Sequence, residues 1–188
     1  ILCQEPQIQA GGILLLAPTG KARVRLSQGM KNKVQYKAYT VAQFLSKSGR
    51  YDGDTFTYKI LEGTDRAKGN AISIPQTVII DESSMLTEEM FGALLDAISS
   101  AGRIIFVGDT NQLPPIGAGR PFVDLAQYMI SVGGDEKKKS EQRCYAKLLV
   151  TRRQLPGENI GKQRTDVRLS KWFTSGQEER DENVFADI

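Results

Sequence analysis

Val78-Ile79-Ile80-Asp81-Glu82-Ser83-Ser84 decides how this chain is built. Three β-branched apolar residues in succession, with no polar alternation, read as a strand buried on both faces, as in a parallel sheet. Leu86, Met90, Leu94 and Ile98 then recur on one helical face, Glu88 and Glu89 occupy a first turn that favours negative charge, and Gly102 closes the helix. Ile104-Ile105-Phe106-Val107 is the next buried run, so strand, helix and strand follow one another. Upstream the pattern repeats. Ile13-Leu14-Leu15-Leu16-Ala17 is a strand ended by Pro18, and Ala22, Leu26 and Met30 mark a helix. Val34 to Leu45 holds a further apolar stretch ending in Val41, Phe44 and Leu45. Downstream, Phe122, Leu125, Ala126 and Met129 mark a helix opened by Pro121, and Leu148-Leu149-Val150 ends a fourth strand candidate. Val167, Trp172 and Phe173 lie on a short helix stopped by Gly176. The class is α/β with a parallel sheet flanked by helices, and in such sheets ligands sit beyond the carboxyl ends of the strands.

Composition narrows the functions open to this fold. The 188 residues are 40% hydrophobic and 25% charged with a net charge of +3, an ordinary globular balance that does not by itself argue for nucleic acid. There is no histidine, which excludes Ser-His-Asp and Cys-His catalysis and His-ligated zinc. Cys3 and Cys144 form no C-x-x-C pair and no disulfide framework, so the expectation is a reducing, cytoplasmic compartment. No apolar run approaches a bilayer span, and no membrane is expected among the partners. The chain opens on Ile1 and ends at Ala186-Asp187-Ile188 in a polar stretch, so a segment of a longer protein is expected. From Ser46 to Pro75 the text is polar and turn-rich. Asp52-Gly53, between Tyr51 and the alternating Phe56 and Tyr58, suggests a small hairpin, and residues 46–75 read as a small β insertion. Gly133 to Arg143 is a charged run that reads as a solvated loop.

The polar residues gather where strands end. Asp81 can hold a magnesium ion through its water shell, and Glu82 can orient and deprotonate a water; read alone, the pair equally describes a solvated turn. The next strand ends in Gly108-Asp109-Thr110-Asn111-Gln112-Leu113-Pro114-Pro115. Gly108 permits a tight exit, and Gln112 offers a donor and acceptors that can touch a γ-phosphate and an attacking water together. Gly117 and Gly119 allow close backbone approach, although Gly-Asp and Pro-Pro are also common turn formers. Pro18-Thr19-Gly20-Lys21 does not match G-x-x-x-x-G-K-[ST], since Leu15 and Ala22 stand at the first Gly and the Ser/Thr. A Thr-Gly turn opening a helix, with Lys21, Arg23 and Arg25 nearby, still suits a phosphate of nucleic acid; it also suits a capped helix with a solvated basic face. In Arg152-Arg153-Gln154 one guanidinium can reach a γ-phosphate or form a surface ion pair.

Taken in order, these segments resemble the motifs of superfamily 1 helicases, in particular the 5′-to-3′ DNA helicases of the RecD, TraA and Dda type. Leu16-Ala17-Pro18-Thr19-Gly20-Lys21-Ala22 resembles motif Ia, and Val78 to Met85 resembles Walker B. Val107 to Pro114 resembles motif III, and Val150-Thr151-Arg152-Arg153-Gln154 resembles motif IV. Ala38 to Leu45 resembles a DNA-contacting motif of the form Thr-hydrophobic-His-x-x-Leu, with Ala42 in place of the His. The likeness spans roughly residues 13–154 and rests on the order of several motifs.

The resemblance implies a RecA-like, P-loop NTPase-type fold over residues 1–154, with 155–188 leading towards a second helicase domain, and ATP with magnesium as cofactors. It implies that Asp81 binds magnesium through water, that Glu82 is the base for the attacking water, and that Gln112 senses the γ-phosphate beside Gly108 and Asp109. Arg153 would be a stabilising finger, and Pro18, Thr19, Gly20, Lys21 and Thr40 would grip single-stranded DNA. Partner subunits of a larger helicase or nuclease complex are implied as well. The family's Walker A loop is absent from these residues, so the isolated chain is expected to hydrolyse ATP negligibly. Two other readings fit the same residues: a non-catalytic module that binds DNA or a protein, and an RNA-directed helicase, because phosphate contacts do not test a 2′-OH.

Overall fold

The computed structural model describes residues 11–30, 35–61, 72–133 and 144–148. The chain divides into two compact units, Ile1–Lys139 and Ser140–Ile188. In the second, residues 144–148 are described; they carry no regular secondary structure, and Cys144 is an exposed free thiol. The strand expected to end at Val150, the helix around Trp172, most of the charged run Gly133–Arg143, Arg152-Arg153 and the extension 155–188 lie outside the described residues.

In the first unit the elements run β1 (Ile13–Ala17), α1 (Gly20–Met30), β2 (Tyr36–Thr40), α2 (Val41–Lys47), β3 (Tyr51–Asp52), β4 (Thr57–Tyr58), β5 (Thr77–Ile80), a 3-10 turn (Ser83–Met85), α3 (Glu88–Ala97), β6 (Arg103–Phe106) and α4 (Pro121–Gly133). Strands β2-β1-β5-β6 form one sheet in that order, and every pairing in it is parallel. This is the RecA-like α/β arrangement. All five residues of β1 are buried, as its unbroken apolar run requires of a central strand.

Alternation along the strands divides the core. Leu14, Leu16, Val78 and Ile80 pack with Val41, Phe44 and Leu45 of α2 and with Ala93, Leu94 and Ile98 on the α3 side. Ile13 and Leu15 point the other way, against Leu26 of α1 and Ile79. From β1 the chain steps outward to β2, and from β5 it steps outward to β6 in the opposite direction. Right-handed crossovers then put α1 and α3 on opposite faces, which the two apolar clusters match. The order therefore reverses between β1 and β5, and the crevice at their carboxyl ends is the topological switch point.

Several elements depart from the expectations. The stretch Val34–Leu45 is not one element: Tyr36–Thr40 forms an edge strand, and Thr40 turns it directly into α2. That helix continues through Lys47, so the first residues of the polar stretch 46–75 complete a helix. The hairpin is present, with Tyr51 paired to Tyr58 and their rings 4.8 Å apart. Its turn is organised by Asp52, whose Oδ1 accepts the N–H groups of Asp54 (2.9 Å) and Thr55 (3.4 Å), and these bonds hold its carboxyl below the usual range. The positive φ falls on Phe56 (56°) rather than on Gly53, so Phe56 is an exposed tip residue and not a strand residue. Leu86, read as helical, closes the 3-10 turn, and Thr87 caps α3. The helix ends at Ala97, well before Gly102, which instead lies against the Gln76 side chain.

A buried ion pair fastens the hairpin to this body. Arg50 Nε lies 2.6 Å from Asp96 Oδ2 on α3, and Arg50 also donates to the Ser48 carbonyl at 3.1 Å. Leu61 N–H donates to the same Asp96 oxygen at 3.3 Å. Both charges are partnered, as burial demands.

Candidate functional site

Parallel register brings the carboxyl ends of the four strands to one edge: Ala17 stands opposite Thr40, Leu16 opposite Ile80, and Ile80 opposite Phe106. The segments that follow therefore emerge side by side, with adjacent strands about 4.8 Å apart. Backbone bonds continue past the strand ends and fix this edge. Asp81 N–H donates to Leu16 O (2.9 Å), Val107 N–H to Ile80 O (2.8 Å) and Ser83 N–H to Val107 O (2.8 Å).

Asp81 thus leaves β5 at the switch point, half-buried and held against the end of β1. Its Oδ1 accepts the Glu82 N–H at 3.0 Å, and its second oxygen has no bond among the described residues. Glu82 sits in the left-handed region (φ 52, ψ 40), which a residue with a Cβ adopts at a cost of about 1–2 kcal/mol. The turn that follows is over-determined: Ser83 is fully buried, with its hydroxyl donating to Ile80 O at 2.9 Å.

The Gly108–Gln112 loop closes on this turn. Ser84, 7% exposed, donates from Oγ to Gln112 Oε1 at 3.3 Å. Ser84, Asp109, Gln112, Arg120 and Phe122 border one shallow hollow. Gly108 is required here by proximity and not only by the exit from the strand: a Cβ on it would lie 2.9 Å from the Phe122 ring and 3.0 Å from Ser84 N. Gly117 (φ 144) and Gly119 (φ 78) bring the rest of the loop onto the start of α3, where Glu88 N–H donates to Ala118 O at 3.0 Å. Asp109 shapes its own turn, accepting Asn111 N–H at 3.0 Å, while Gln112 N–H donates to the Asp109 carbonyl at 3.2 Å.

On the β1/β2 side, Pro18 is half-buried while Thr19, Gly20 and Lys21 are exposed. Thr19 Oγ1 accepts Ala22 N–H at 3.2 Å and so caps α1. Thr40 forms a capping box: its Oγ1 accepts Gln43 N–H at 3.2 Å, and its N–H donates to Gln43 Oε1 at 3.0 Å. Both threonine hydroxyls therefore already hold a helix start, and Lys21 and Arg25 supply exposed positive charge beside them.

Magnesium can be tested against these groups. No cluster of three or more acidic or other ligating side chains exists among the described residues, so an all-protein cage is absent there. Asp81, with one carboxylate oxygen open, fits the other mode, in which one carboxylate and the substrate's own phosphates share a hydrated ion.

Of the residues expected at the site, Asp81 and Glu82 follow β5 and Gly108, Asp109 and Gln112 follow the adjacent β6, while Pro18, Thr19, Gly20, Lys21 and Thr40 lie at the β1/β2 end. Asp109 and Gln112 border the hollow, which Asp81 and Glu82 do not line; Ser84 makes the link to Gln112. Arg153 lies outside the described residues. Ser84 and Arg120 were not foreseen. For Ser84 a signal existed in its place two residues after Glu82, whereas Arg120 reaches the hollow only through the fold of the loop.

Comparison with known proteins gives the family. Residues 4–133 match the model of a family described as AAA domain. An uncharacterized protein of Methanocaldococcus jannaschii is 38% identical over 124 residues, covering 64% of this chain and 10% of the relative. The ATP-dependent RecD2 DNA helicase of Deinococcus radiodurans is 35% identical over 113 residues, covering 60% and 13% respectively. The RecBCD enzyme subunit RecD of Mycolicibacterium smegmatis is 31% identical over 138 residues, covering 69% and 24%. The chain thus spans between a tenth and a quarter of the length of these relatives. No helix among the described residues is long and apolar enough to cross a membrane.

Proposed function

The chain belongs to the AAA domain family and is RecD-like, and from that premise we propose that it forms part of the first nucleotide-hydrolysing domain of an ATP-dependent DNA helicase of superfamily 1. One observation carries the reading. The Asp81–Ser84 and Val107–Gln112 segments leave adjacent parallel strands and are bonded to each other, through Ser83 to Val107 and through Ser84 to Gln112. A carboxylate pair and an amide carried on two neighbouring, mutually bonded strand ends suit a terminal phosphate and the water that attacks it.

In this mechanism Asp81 would hold a magnesium ion through its water shell, and the ion would supply charge neutralisation at the phosphates. Glu82 accepts a proton from the attacking water; its left-handed backbone, anchored by the buried Ser83, fixes where the carboxylate leaves the chain. Gln112 contacts the γ-phosphate through its amide. Because Gly108 and Gln112 join the β6 end to the turn after β5, a change at the phosphate moves the edge that continues into β1 and β2. There Pro18, Gly20, Lys21, Thr19 and Thr40 meet the backbone of single-stranded DNA, the two threonines through the backbone of the turns they cap. The hairpin, with Phe56 exposed at its tip and its base locked by Arg50 and Asp96, acts as a pin that parts the duplex. A whole protein that still separates strands after deletion of residues 51–58 would dispose of the pin.

The test of the motor is Glu82→Gln in the whole protein. DNA-stimulated ATP turnover falls by about 10²–10⁴ while ATP affinity is retained. An unchanged rate removes Glu82 from the reaction. The proposed setting is the cytoplasm, with partner subunits of a helicase or nuclease complex, in DNA repair, recombination or conjugation.

A further inference from the structure

Ser84 bears on the same site in a way that the reading of Gln112 as a phosphate sensor, on which this step rests, does not contain. The side-chain amide of Gln112 has one acceptor end and one donor end, and an exposed glutamine is free to present either. Here the choice is made. Ser84 Oγ donates to Gln112 Oε1 at 3.3 Å, and no other described residue bonds that amide. Ser84 itself is 7% exposed, on the 3-10 turn whose Ser83 neighbour is fully buried, so it is a fixed reference point while Gln112 is not. Gly108 keeps the two close, since its missing Cβ lets Ser84 N and the Phe122 ring approach.

We propose that Ser84 is a positioning residue that occupies the carbonyl end of Gln112 and thereby turns its NH2 group outward as a donor. A group so turned donates to an acceptor, a phosphate oxygen, and does not accept a hydrogen bond from the attacking water. The division of labour follows. Glu82 alone serves as base, and Gln112 reports the phosphate. Arg120, bordering the same hollow and without an ion pair among the described residues, gives that hollow positive charge.

The experiment uses the whole protein and five variants, read by steady-state DNA-stimulated ATPase, by affinity for a non-hydrolysable ATP analogue and by thermal midpoint. Gln112→Ala comes first; if it leaves turnover, affinity and midpoint unchanged, the sensor reading itself fails, whatever Ser84 does. With that reading standing, Ser84→Ala lowers kcat roughly three- to tenfold, the worth of one hydrogen bond, with KM moved less than about twofold. Ser84→Thr retains the hydroxyl and restores most of kcat. Ser84→Ala adds nothing in the Gln112→Ala background. Gln112→Glu, which can still accept from Ser84 but has no N–H to give, loses as much turnover and analogue affinity as Gln112→Ala. Additive losses in the double variant, with a lowered midpoint, would make Ser84 a packing residue only and overturn the proposal; so would a fully active Gln112→Glu protein.

Discussion

Replacing Gly108 with alanine adds one methyl group at the point where the turn after β5, the loop after β6 and the start of α4 converge. The added carbon lies 2.9 Å from Cε1 and Cζ of Phe122 and 3.0 Å from the backbone nitrogen of Ser84, where ordinary contact begins near 3.4 Å. The Phe122 ring can turn aside. Ser84 N cannot, because the flanking Ser83 is held by Val107 O and Ile80 O at 2.8 and 2.9 Å. Relief must come from the loop, which moves outward by several tenths of an ångström. Overpacking of this type costs about 1–3 kcal/mol, or a fall in thermal midpoint of roughly 2–12 °C. The same displacement stretches the Ser84–Gln112 bond, already 3.3 Å, beyond useful length. Gly108→Ala is therefore expected to lower both the unfolding midpoint and DNA-stimulated ATP turnover. Gly92→Ala in α3 is the control. Its added carbon meets only Ile60 Cδ1 at 3.7 Å, and alanine in a helix interior is worth about 0.5–1 kcal/mol over glycine, so stability rises. A Gly108→Ala protein as stable and as active as the parent would refute the reasoning from proximity.

Four further outcomes follow from the same geometry. Asp96→Ala leaves the Arg50 charge buried alone and is expected to lower unfolding free energy in denaturant titration by about 3–5 kcal/mol, whereas Arg50→Met with Asp96→Leu costs much less; equal losses would show that the pair is not what holds the hairpin. Thr40→Val removes the cap of α2 at a cost of about 1 kcal/mol while Thr40→Ser does not, and a Thr40→Val protein with parental stability but weakened DNA binding would make this hydroxyl a DNA ligand instead. Glu82→Gly relieves the left-handed backbone and is expected to raise the midpoint slightly while abolishing turnover; a lowered midpoint would mean that the conformation stores no strain. The Asp52 carboxyl is held below its usual 3.8 by bonds that favour the charged form, so its contribution is present above that value and lost as pH falls through the lowered one; the near-ultraviolet signal of the Tyr51–Tyr58 stack should fade only in that acid range, and Asp52→Asn should remove the dependence.

Much of the fold was legible because its central strands announce themselves. Ile13–Ala17 and Val78–Ile80 are continuous apolar runs, as strands covered on both faces require. Ile104–Phe106 is an equally apolar run and reads as buried, yet it forms the last strand of the described sheet, with Ile104 36% and Val107 42% exposed. The edge strand Tyr36–Thr40 was not separated from its helix, since Tyr-Lys-Ala-Tyr-Thr is half-buried and carries no such run. The boundary lies in the capping box of Thr40 and Gln43, a local signal within the apolar stretch. At the hairpin, Asp-Gly suggested a turn centred on Gly53, but the Asp52 carboxylate captures two backbone N–H groups and moves the positive φ to Phe56. The site's residues were legible by type and order, as strand-end carboxylates and a loop glutamine. Their connection was not: Ser84 and Gln112 are 28 residues apart, and Arg50 and Asp96 are 46, so only the sheet order brings either pair together.

The most direct measurement is a crystal structure of the whole protein with magnesium and a non-hydrolysable ATP analogue. The account predicts the terminal phosphate beside the β5 and β6 ends, with the Gln112 NH2 group about 3 Å from one of its oxygens, Ser84 still on Oε1, and Asp81 facing the metal's water shell. A terminal phosphate seated away from both Asp81 and Gln112, or a Gln112 amide presenting its carbonyl to the nucleotide, would contradict it.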